Sequence, residues 1–310
     1  MKLLPVFQQI VVLFLLMGVG YAANRLHIMN KESERLFSRV IVNLTCPALI
    51  LYSVTTCGRL ESGWMLLQIL GVAVGYFVLL PIVARPLACL LHAPAAHFDE
   101  YKSMLIYSNL GFVGIPVISA VLGADAILYV SVFIAMFNVS VFSYGTILLQ
   151  PTERKTEKLP LRKIINPGTV SAAAALLLYI FDLRFPALIE QPIELLGNVT
   201  TPLAMLVVGS SLAGQPLRVM LRETSMLPFT ACRLFLLPLL TLGVCRWFID
   251  DPLLLGTITL VSAMPVASNV VMISSELGRS TDYISKGVFF STVFSIISIP
   301  VVSVALRVFG

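Results

Sequence analysis

Ten long stretches of apolar residues run along the chain, and the short segments between them carry most of its charged residues. Stretches of about 20 apolar residues are typical of membrane-spanning helices, whereas a membrane β-barrel has short alternating segments. Helices also satisfy every backbone hydrogen bond within the segment, as lipid requires. We therefore predict an all-α membrane protein with ten transmembrane helices, at 4–24, 36–56, 63–84, 99–122, 125–149, 164–182, 192–213, 225–248, 252–276 and 281–307.

One long hydrophilic segment, residues 150–163, divides these helices into two groups of five. We expect two units, 1–149 and 164–310, joined by this linker. Because five is an odd number, the second group enters the membrane from the face opposite to the first. This arrangement is the inverted repeat of many secondary transporters, so we predict two inverted five-helix repeats.

Matching residues in the two halves support this repeat. An Asn-x-Thr-x-Pro motif occurs at 43–47 in helix 2 and again at 198–202 in helix 7, an offset of 155 residues. Helices 4 and 9 end at Gly123 and Gly278, at the same offset, and Leu-Pro pairs in helices 3 and 8 lie 157 residues apart. Because Asn and Thr also hydrogen-bond between membrane helices, simple packing is an alternative explanation of the motif.

The positive charges indicate an orientation in the membrane. With alternating loops, fifteen of the 21 Lys and Arg residues fall on the side of the linker, five fall on the side of the termini, and Arg233 lies within helix 8. Cytoplasmic loops are enriched in Lys and Arg, so we expect a cytoplasmic linker and both termini outside. The first stretch could also be a signal peptide, but it is longer than the usual apolar core, and the repeat needs it as helix 1.

Composition narrows the class of protein. Charged residues make up 12% of the 310 residues, whereas soluble proteins carry about 25%. The net charge of +5 comes from basic residues at helix ends, where they set topology, so we expect no nucleic-acid partner. The five cysteines and three histidines lack the spacing of metal ligands, and no Walker, GxSxG or HExxH motif occurs. We expect no metal site, no cofactor and no enzymatic activity.

Helices 4 and 9 contain the candidate site. Each has a proline near its middle with Asn or Ser close by, and glycines in helix 4 permit unwinding. Interruptions at corresponding places in both halves indicate a transporter site, and the free N–H groups of half-helices suit an anion. A simple kink is the alternative for either helix. The candidate substrate-binding residues in these helices are Asn109, Gly111, Gly114, Pro116, Pro265, Ser268 and Asn269.

Charged residues within the predicted spans are rare. Carboxylates lie near the helix ends and not in the middle of any span, which disfavours cation exchange as the main task. Arg233, about eight residues into helix 8, is the one charge that we expect inside the membrane, and it joins the candidate substrate-binding residues. Alternatively, its side chain extends to the cytoplasmic surface.

Several motifs together resemble the auxin efflux carrier family, which includes plant auxin exporters and bacterial carboxylate carriers. The most specific is Ser108-Asn109-Leu-Gly111-Phe-Val-Gly114-Ile-Pro116; shorter ones are at 43–49, 166–167, 201–204, 209–212 and 263–269. The resemblance spans essentially the whole chain. It implies the fold of the bile-acid/sodium symporters, with a scaffold of helices 1, 2, 6 and 7. Helices 3–5 and 8–10 would form a transport domain in which helices 4 and 9 cross at their prolines.

The same resemblance implies an organic anion as substrate, elevator-type alternating access and a homodimer formed through the scaffold. The short linker is similar to that of bacterial members, so we expect a location in the bacterial inner membrane. We hypothesise a carboxylate carrier in which Asn109 and Asn269 are polar contacts. The alternatives are a membrane sensor or receptor with a transporter fold, or, less favoured, an ion channel or cation antiporter. The sequence leaves open whether a proton or sodium is the coupling ion.

Overall fold

A computed structural model describes residues 3–56, 63–150, 167–181, 183–214, 226–277 and 279–309. Within these residues every regular element is a helix, apart from one isolated β-bridge. The prediction of an all-helical protein is therefore confirmed. The 150–163 linker lies outside the described residues except for Gln150.

We number the helices in chain order and give two letters to a helix that is interrupted. Most bounds lie within a few residues of the prediction. The helices are α1 (Leu3–Arg25), α2 (31–56), α3 (Gly63–Leu90), α4a (Phe98–Ile106), α4b (Leu110–Leu122), α5 (Ala126–Leu149), α6 (Pro167–Ile180), α7 (Ala187–Ala213), α8 (Leu227–Cys245), α9a (Pro252–Ala263), α9b (Ser268–Glu276) and α10 (Asp282–Phe309).

Six of these helices are long and apolar enough to cross a membrane, namely α2, α3, α5, α7, α8 and α10. Shorter apolar helices include α4b and α9a, which are halves of interrupted helices. Length and composition thus give a multi-pass membrane protein.

Local sequence explains where particular helices begin and end. The α2 helix begins at Lys31, earlier than predicted, because the side chain of Asn30 accepts hydrogen bonds from the backbone N–H groups of Glu32 and Ser33. The hydroxyl of Ser33 accepts the backbone N–H of Asn30 in return, at 2.8 Å. The α4b helix ends before Gly123, whose φ of 99° favours glycine. The matching Gly278 lies outside the described residues.

Glycines bring α1 and α7 into close contact. A Cβ atom at Gly209 would overlap the backbone carbonyl of Met17, and one at Gly20 would overlap that of Leu206. The α7 helix also packs against α2, where a Cβ at Gly197 would lie 3.0 Å from the Cα of Leu49. Small residues at such contacts are how membrane helices gain close packing without a hydrophobic driving force.

Polar contacts at the two ends of these helices fix their relative directions. The hydroxyl of Ser210, late in α7, donates to the carboxylate of Glu34, early in α2, at 2.6 Å. The hydroxyl of Tyr52, late in α2, donates to Glu194, early in α7, at 2.8 Å. The amide of Asn24, at the end of α1, donates to Ser210 at 3.0 Å. Therefore α2 runs antiparallel to α7, and α1 runs parallel to it.

A second polar group connects the beginning of α4a with the end of α9b and the beginning of α10. The buried carboxylate of Glu100 lies 2.6 Å from Nδ1 of His97 and 3.9 Å from a guanidinium nitrogen of Arg279. The ring of Tyr283 stacks on that of His97, with 4.3 Å between centroids. Because the first residues of α4a lie beside those that follow α9b, the two interrupted helices are antiparallel.

Candidate functional site

The two interrupted helices meet at their breaks. Residues 107–109 separate α4a from α4b, and residues 264–267 separate α9a from α9b. Ser108 and Val266 form an antiparallel β-bridge. The N–H of Asn109 donates to the carbonyl of Pro265 at 2.8 Å, and the N–H of Ala267 donates to the carbonyl of Tyr107 at 3.0 Å. Backbone groups that a helix would have used internally are thus paired across the crossing.

Proline explains the break in α9. The residue before a proline is disfavoured in helical conformation, and Met264, which precedes Pro265, is extended with ψ of 147°. Pro265 also has no N–H to donate to the preceding turn. The sequence prediction of a break at this proline is therefore confirmed.

No proline interrupts α4 at its break. Tyr107 is extended with ψ of 113°, and Asn109 begins the second half by accepting the N–H of Phe112 on its side-chain oxygen at 3.2 Å. Pro116 lies seven residues after Asn109, in the first turn of the α-helical part of α4b. The expectation that helix 4 crosses at Pro116 is wrong, because Pro116 follows the π-helical turn of α4b, whereas the chain leaves the helix at residues 107–109.

Neighbouring helices hold both breaks in place. The hydroxyl of Ser291, on α10, accepts the N–H of Val266 at 3.0 Å. On the other side, the hydroxyl of Tyr107 donates to the backbone carbonyl of Ser140, on α5, at 3.0 Å. Each break therefore has an anchor in the helix that follows its own in the chain.

Arg233 joins the two breaks through its side chain. It is fully buried on a π-helical turn of α8, Cys232–Leu236. One terminal nitrogen donates to the carbonyl of Ser262, in the last turn of α9a, and the other donates to the hydroxyl of Ser108, in the α4 break, both at 2.5 Å. Its Nε has no hydrogen-bond partner within the described part of the chain. Arg233 therefore lies at the crossing and does not reach the surface.

The charge of Arg233 is not paired with any of the carboxylates that the structure describes. A buried cation without a counter-ion is costly, and it gives the surrounding region a positive potential. Both half-helices that begin at the crossing add partial positive charge, since α4b starts two residues after Ser108 and α9b two residues after Val266.

The remaining candidate residues differ in how far they are buried. Asn109 is 7% exposed and Pro265 is buried, so both are part of the packed crossing. Ser268, the first residue of α9b, is exposed, and Asn269 beside it is half-buried. The structure thus brings Asn109, Pro265 and Arg233 together.

The two glycines of the helix 4 motif lie on the π-helical turn that begins α4b, Leu110–Gly114. Gly114 is buried, and a Cβ there would lie 3.4 Å from the carbonyl oxygen of Asn109. Gly111 is half-buried, with open space where a Cβ would be. The glycines therefore follow the break rather than form it.

Ser291, Ser140 and Tyr107 hold the breaks but were not among the predicted site residues. Tyr107 and Ser108 immediately precede Asn109, so the helix 4 motif itself could have indicated them. Ser291 is one of several serines in α10, and only the tertiary contact with Val266 distinguishes it. Sequence reasoning had no signal for that contact.

Comparisons with known proteins agree with a transporter. The family model described as "Membrane transport protein" matches residues 5–159 and 152–303. A protein of Methanothermobacter thermautotrophicus named "Uncharacterized transporter" is 24% identical over 301 residues, which cover 93% of this chain and 94% of that protein. A protein of Rhizobium meliloti named "Putative malonate transporter" is 23% identical over 296 residues, covering 92% of this chain and 91% of that protein.

Proposed function

The chain belongs to the membrane transport protein family, the family of the auxin efflux carriers, and on this premise we propose that it carries a small organic anion across the membrane. The family and both relatives are transporters, which confirms the prediction of a transport protein rather than an enzyme. The finer parts of the proposal, namely substrate, site and mechanism, each rest on the observations that follow.

The crossing of the interrupted helices is the observation that carries the proposal. Two half-helices begin there, and a buried guanidinium lies between the two breaks. Free N–H groups at helix N-termini, together with a cation that pairs with none of the described carboxylates, favour an anion over a neutral or cationic solute. The name of the Rhizobium relative suggests malonate for that protein, so we take a carboxylate as the substrate class here.

We propose that the substrate contacts Asn109 and the first turn of α9b. The side-chain oxygen of Asn109 is engaged as a helix cap, which leaves its amide N–H₂ as the donor for a carboxylate. Ser268 is exposed and Asn269 is half-buried, so both are accessible at the beginning of α9b. We propose that the backbone next to these donors is set by the remaining candidate residues, Gly111, Gly114, Pro116 and Pro265.

Two observations support the proposed inverted repeat. The α2 and α7 helices run antiparallel, as do helices 4 and 9, and inversion requires this for every matched pair. Matched residues of the Asn-x-Thr-x-Pro motifs also have matched environments: Asn43 and Asn198 are exposed, and Thr45 and Thr200 are buried. Equal burial at equivalent positions is expected when two halves share one fold.

We propose that α1, α2, α6 and α7 form the scaffold, and that the other helices form a transport domain that moves against it. The extensive contact of α1 with α7, and of α2 with both α6 and α7, supports this grouping. Movement of the domain that carries the crossing would expose the substrate to each side in turn. From the distribution of Lys and Arg we propose that both termini lie outside the cytoplasm. From the resemblance to the auxin efflux carriers we propose a bacterial inner-membrane location and a dimer formed through the scaffold.

Flux measurements on Asn109 variants test this function. In reconstituted vesicles we expect saturable uptake of labelled malonate by the unmodified protein and strong loss in Asn109→Asp. Aspartate retains the capping oxygen but repels an anion, whereas Asn109→Ser retains the cap without added charge. The site assignment is wrong if Asn109→Asp transports as well as Asn109→Ser when both are equally folded. Absence of uptake for a panel of mono- and dicarboxylates would reject the substrate class.

A further inference from the structure

Arg233 connects the two interrupted helices through oxygen atoms of both. Its terminal nitrogens donate hydrogen bonds to two oxygens, the carbonyl of Ser262 in the last turn of α9a and the hydroxyl of Ser108 in the α4 break. The side chain is fully buried, and none of the described carboxylates pairs with it. A positive charge is therefore fixed at the crossing by the covalent chain itself.

The oxygens that Arg233 contacts are of the kind that a coupling cation uses. In transporters with interrupted helices, unwound carbonyls and the C-terminal ends of half-helices coordinate sodium or a proton, because these ends carry partial negative charge. Ser262 lies in the last turn of α9a, one residue before that half-helix ends. A guanidinium has five N–H donors in a planar fork and is more weakly hydrated than an ammonium group, so it suits such a buried position.

We infer that Arg233 is a resident cation that takes the place of a co-transported metal cation at the crossing. The inference rests on the proposed transport of an organic anion and deepens it. The guanidinium covers the negative end of α9a and ties it to the α4 break, while its charge offsets one negative charge of the substrate. The loaded crossing then needs no bound sodium ion.

The permanence of the charge separates this arrangement from ion coupling. A bound sodium ion enters and leaves with each cycle, so its gradient drives transport. The guanidinium of Arg233 stays attached to α8 and remains protonated because arginine does not titrate in proteins. The electrochemical gradient of the anion alone, that is, its concentration difference and the membrane potential, then drives net movement. At constant potential, replacement of sodium by an inert cation does not change the rate.

Thermal unfolding of the purified protein tests the inference without requiring transport. The Tm of each protein is compared between sodium chloride and choline chloride at equal ionic strength. For the unmodified protein, and likewise for Arg233→Lys, we expect the same Tm in both salts. Arg233→Gln removes the charge and exposes the oxygens, so sodium should raise its Tm by roughly 2 °C or more, as a ligand of the folded state does. Arg246→Gln, at an exposed arginine that follows the same helix, is the matched control and should show no sodium effect.

Two results would overturn the inference. One is stabilisation of the unmodified protein by sodium relative to choline, which would reveal a metal site that Arg233 does not replace. The other is an equal response of Arg233→Gln and Arg233→Lys to sodium. If Arg233→Gln does not fold, the comparison of sodium with choline for the unmodified protein tests the inference by itself.

Malonate uptake into vesicles then separates this inference from the proposed function. We expect the unmodified protein to transport equally with sodium or choline outside, and Arg233→Gln to lose about tenfold or more of its sodium-free rate, since one buried partner of the anion is gone. An uptake rate that depends on a sodium gradient would contradict the inference about Arg233 but not the proposed transport of an organic anion. Absence of carboxylate uptake under all conditions sinks the proposed function, while the thermal unfolding result still decides the role of Arg233.

Discussion

The two breaks form one crossing but arise from different local chemistry. In α9 the break contains Pro265, and the residue before it is extended for steric reasons. In α4 the break contains no proline, and the second half begins at a capping asparagine, Asn109. The two breaks therefore have a similar geometry but different causes. A search of the sequence for prolines locates the α9 break correctly but places the α4 break at the wrong residue.

The beginnings of the second halves differ for the same reason. The N–H of Phe112 in α4b is occupied by the side chain of Asn109, whereas α9b follows Ala267, which has no polar side chain to cap it. The first residue of α9b, Ser268, is also exposed. We therefore expect α9b to offer more free N–H groups to an anion than α4b does.

The first prediction places a negative charge at the beginning of α9b. Two like charges about 4–5 Å apart repel by roughly 3–4 kcal/mol at an effective dielectric constant near 20. Ser268→Asp should therefore lower malonate uptake by about 100-fold or more, while Ser268→Asn, of the same size but neutral, should keep most of it. An aspartate at a helix N-terminus does not harm folding, so the Tm of the two variants should be similar. Equal uptake by both variants would contradict an anion site at α9b.

The second prediction concerns the anchors of the breaks. Ser291→Ala leaves the buried N–H of Val266 without its acceptor, which should cost about 1–3 kcal/mol of unfolding free energy. Ser140→Ala is the matched variant for α4, and it should cost less because Tyr107 donates to the backbone carbonyl of Ser140. Denaturant or thermal unfolding in detergent measures both. A larger loss in Ser140→Ala would mean that the side-chain contact between Tyr107 and Ser140, at 3.2 Å, is the anchor instead.

The third prediction removes the cap of α4b. Asn109→Ala should lower the unfolding free energy by about 1 kcal/mol, the usual loss when a capping side chain is removed. Asn109→Ser should restore most of it, since a serine hydroxyl also accepts an N–H bond. Hydrogen exchange at Phe112 gives a local measurement, in which faster exchange is expected for alanine alone. Unchanged exchange in Asn109→Ala would show that the break of α4 does not need this cap.

The fourth and smallest effect is expected at Pro116. Since this proline follows the π-helical turn of α4b and lies outside the break, Pro116→Ala should leave the crossing in place and change the unfolding free energy by no more than about 0.5 kcal/mol. Pro265→Ala should have the larger effect of the two, because it removes the reason for the extended Met264. Thermal unfolding and malonate uptake of the pair measure the difference. A larger change in stability or uptake for Pro116→Ala than for Pro265→Ala would indicate that Pro116 causes the α4 break.

Much of the fold follows from the apolar pattern. Helix 9 was predicted over 252–276, and its two halves span those residues with a break at the expected proline. The beginning of α2 was misjudged because Lys31 and its polar neighbours fall outside an apolar window, yet Asn30 and Ser33 cap a helix there. An apolar window detects the part of a helix that lies in lipid, whereas the ends of a helix are determined by hydrogen bonding. The window therefore locates the middle of a helix better than its ends.

The sequence indicated the two interrupted helices that carry the candidate site, but not the contacts between them. The helix 4 motif contains Asn109, although the crossing was expected at Pro116, and the rarity of embedded charge indicated Arg233. The two hydrogen-bonding partners of Arg233 lie 125 and 29 residues away along the chain. Such contacts depend on how α8 packs against both breaks, which no local pattern encodes. The contact of Ser291 with Val266 belongs to the same class.

Counterflow of labelled malonate in reconstituted vesicles tests the central claim most directly. Vesicles loaded with unlabelled malonate should take up label transiently, and external mono- or dicarboxylates should compete with it. Malonamide has the same shape without the charges, so it should compete little if half-helix N-termini and Arg233 select an anion. Competition by malonamide equal to that by malonate, or no counterflow with any carboxylate, would contradict a carrier of organic anions.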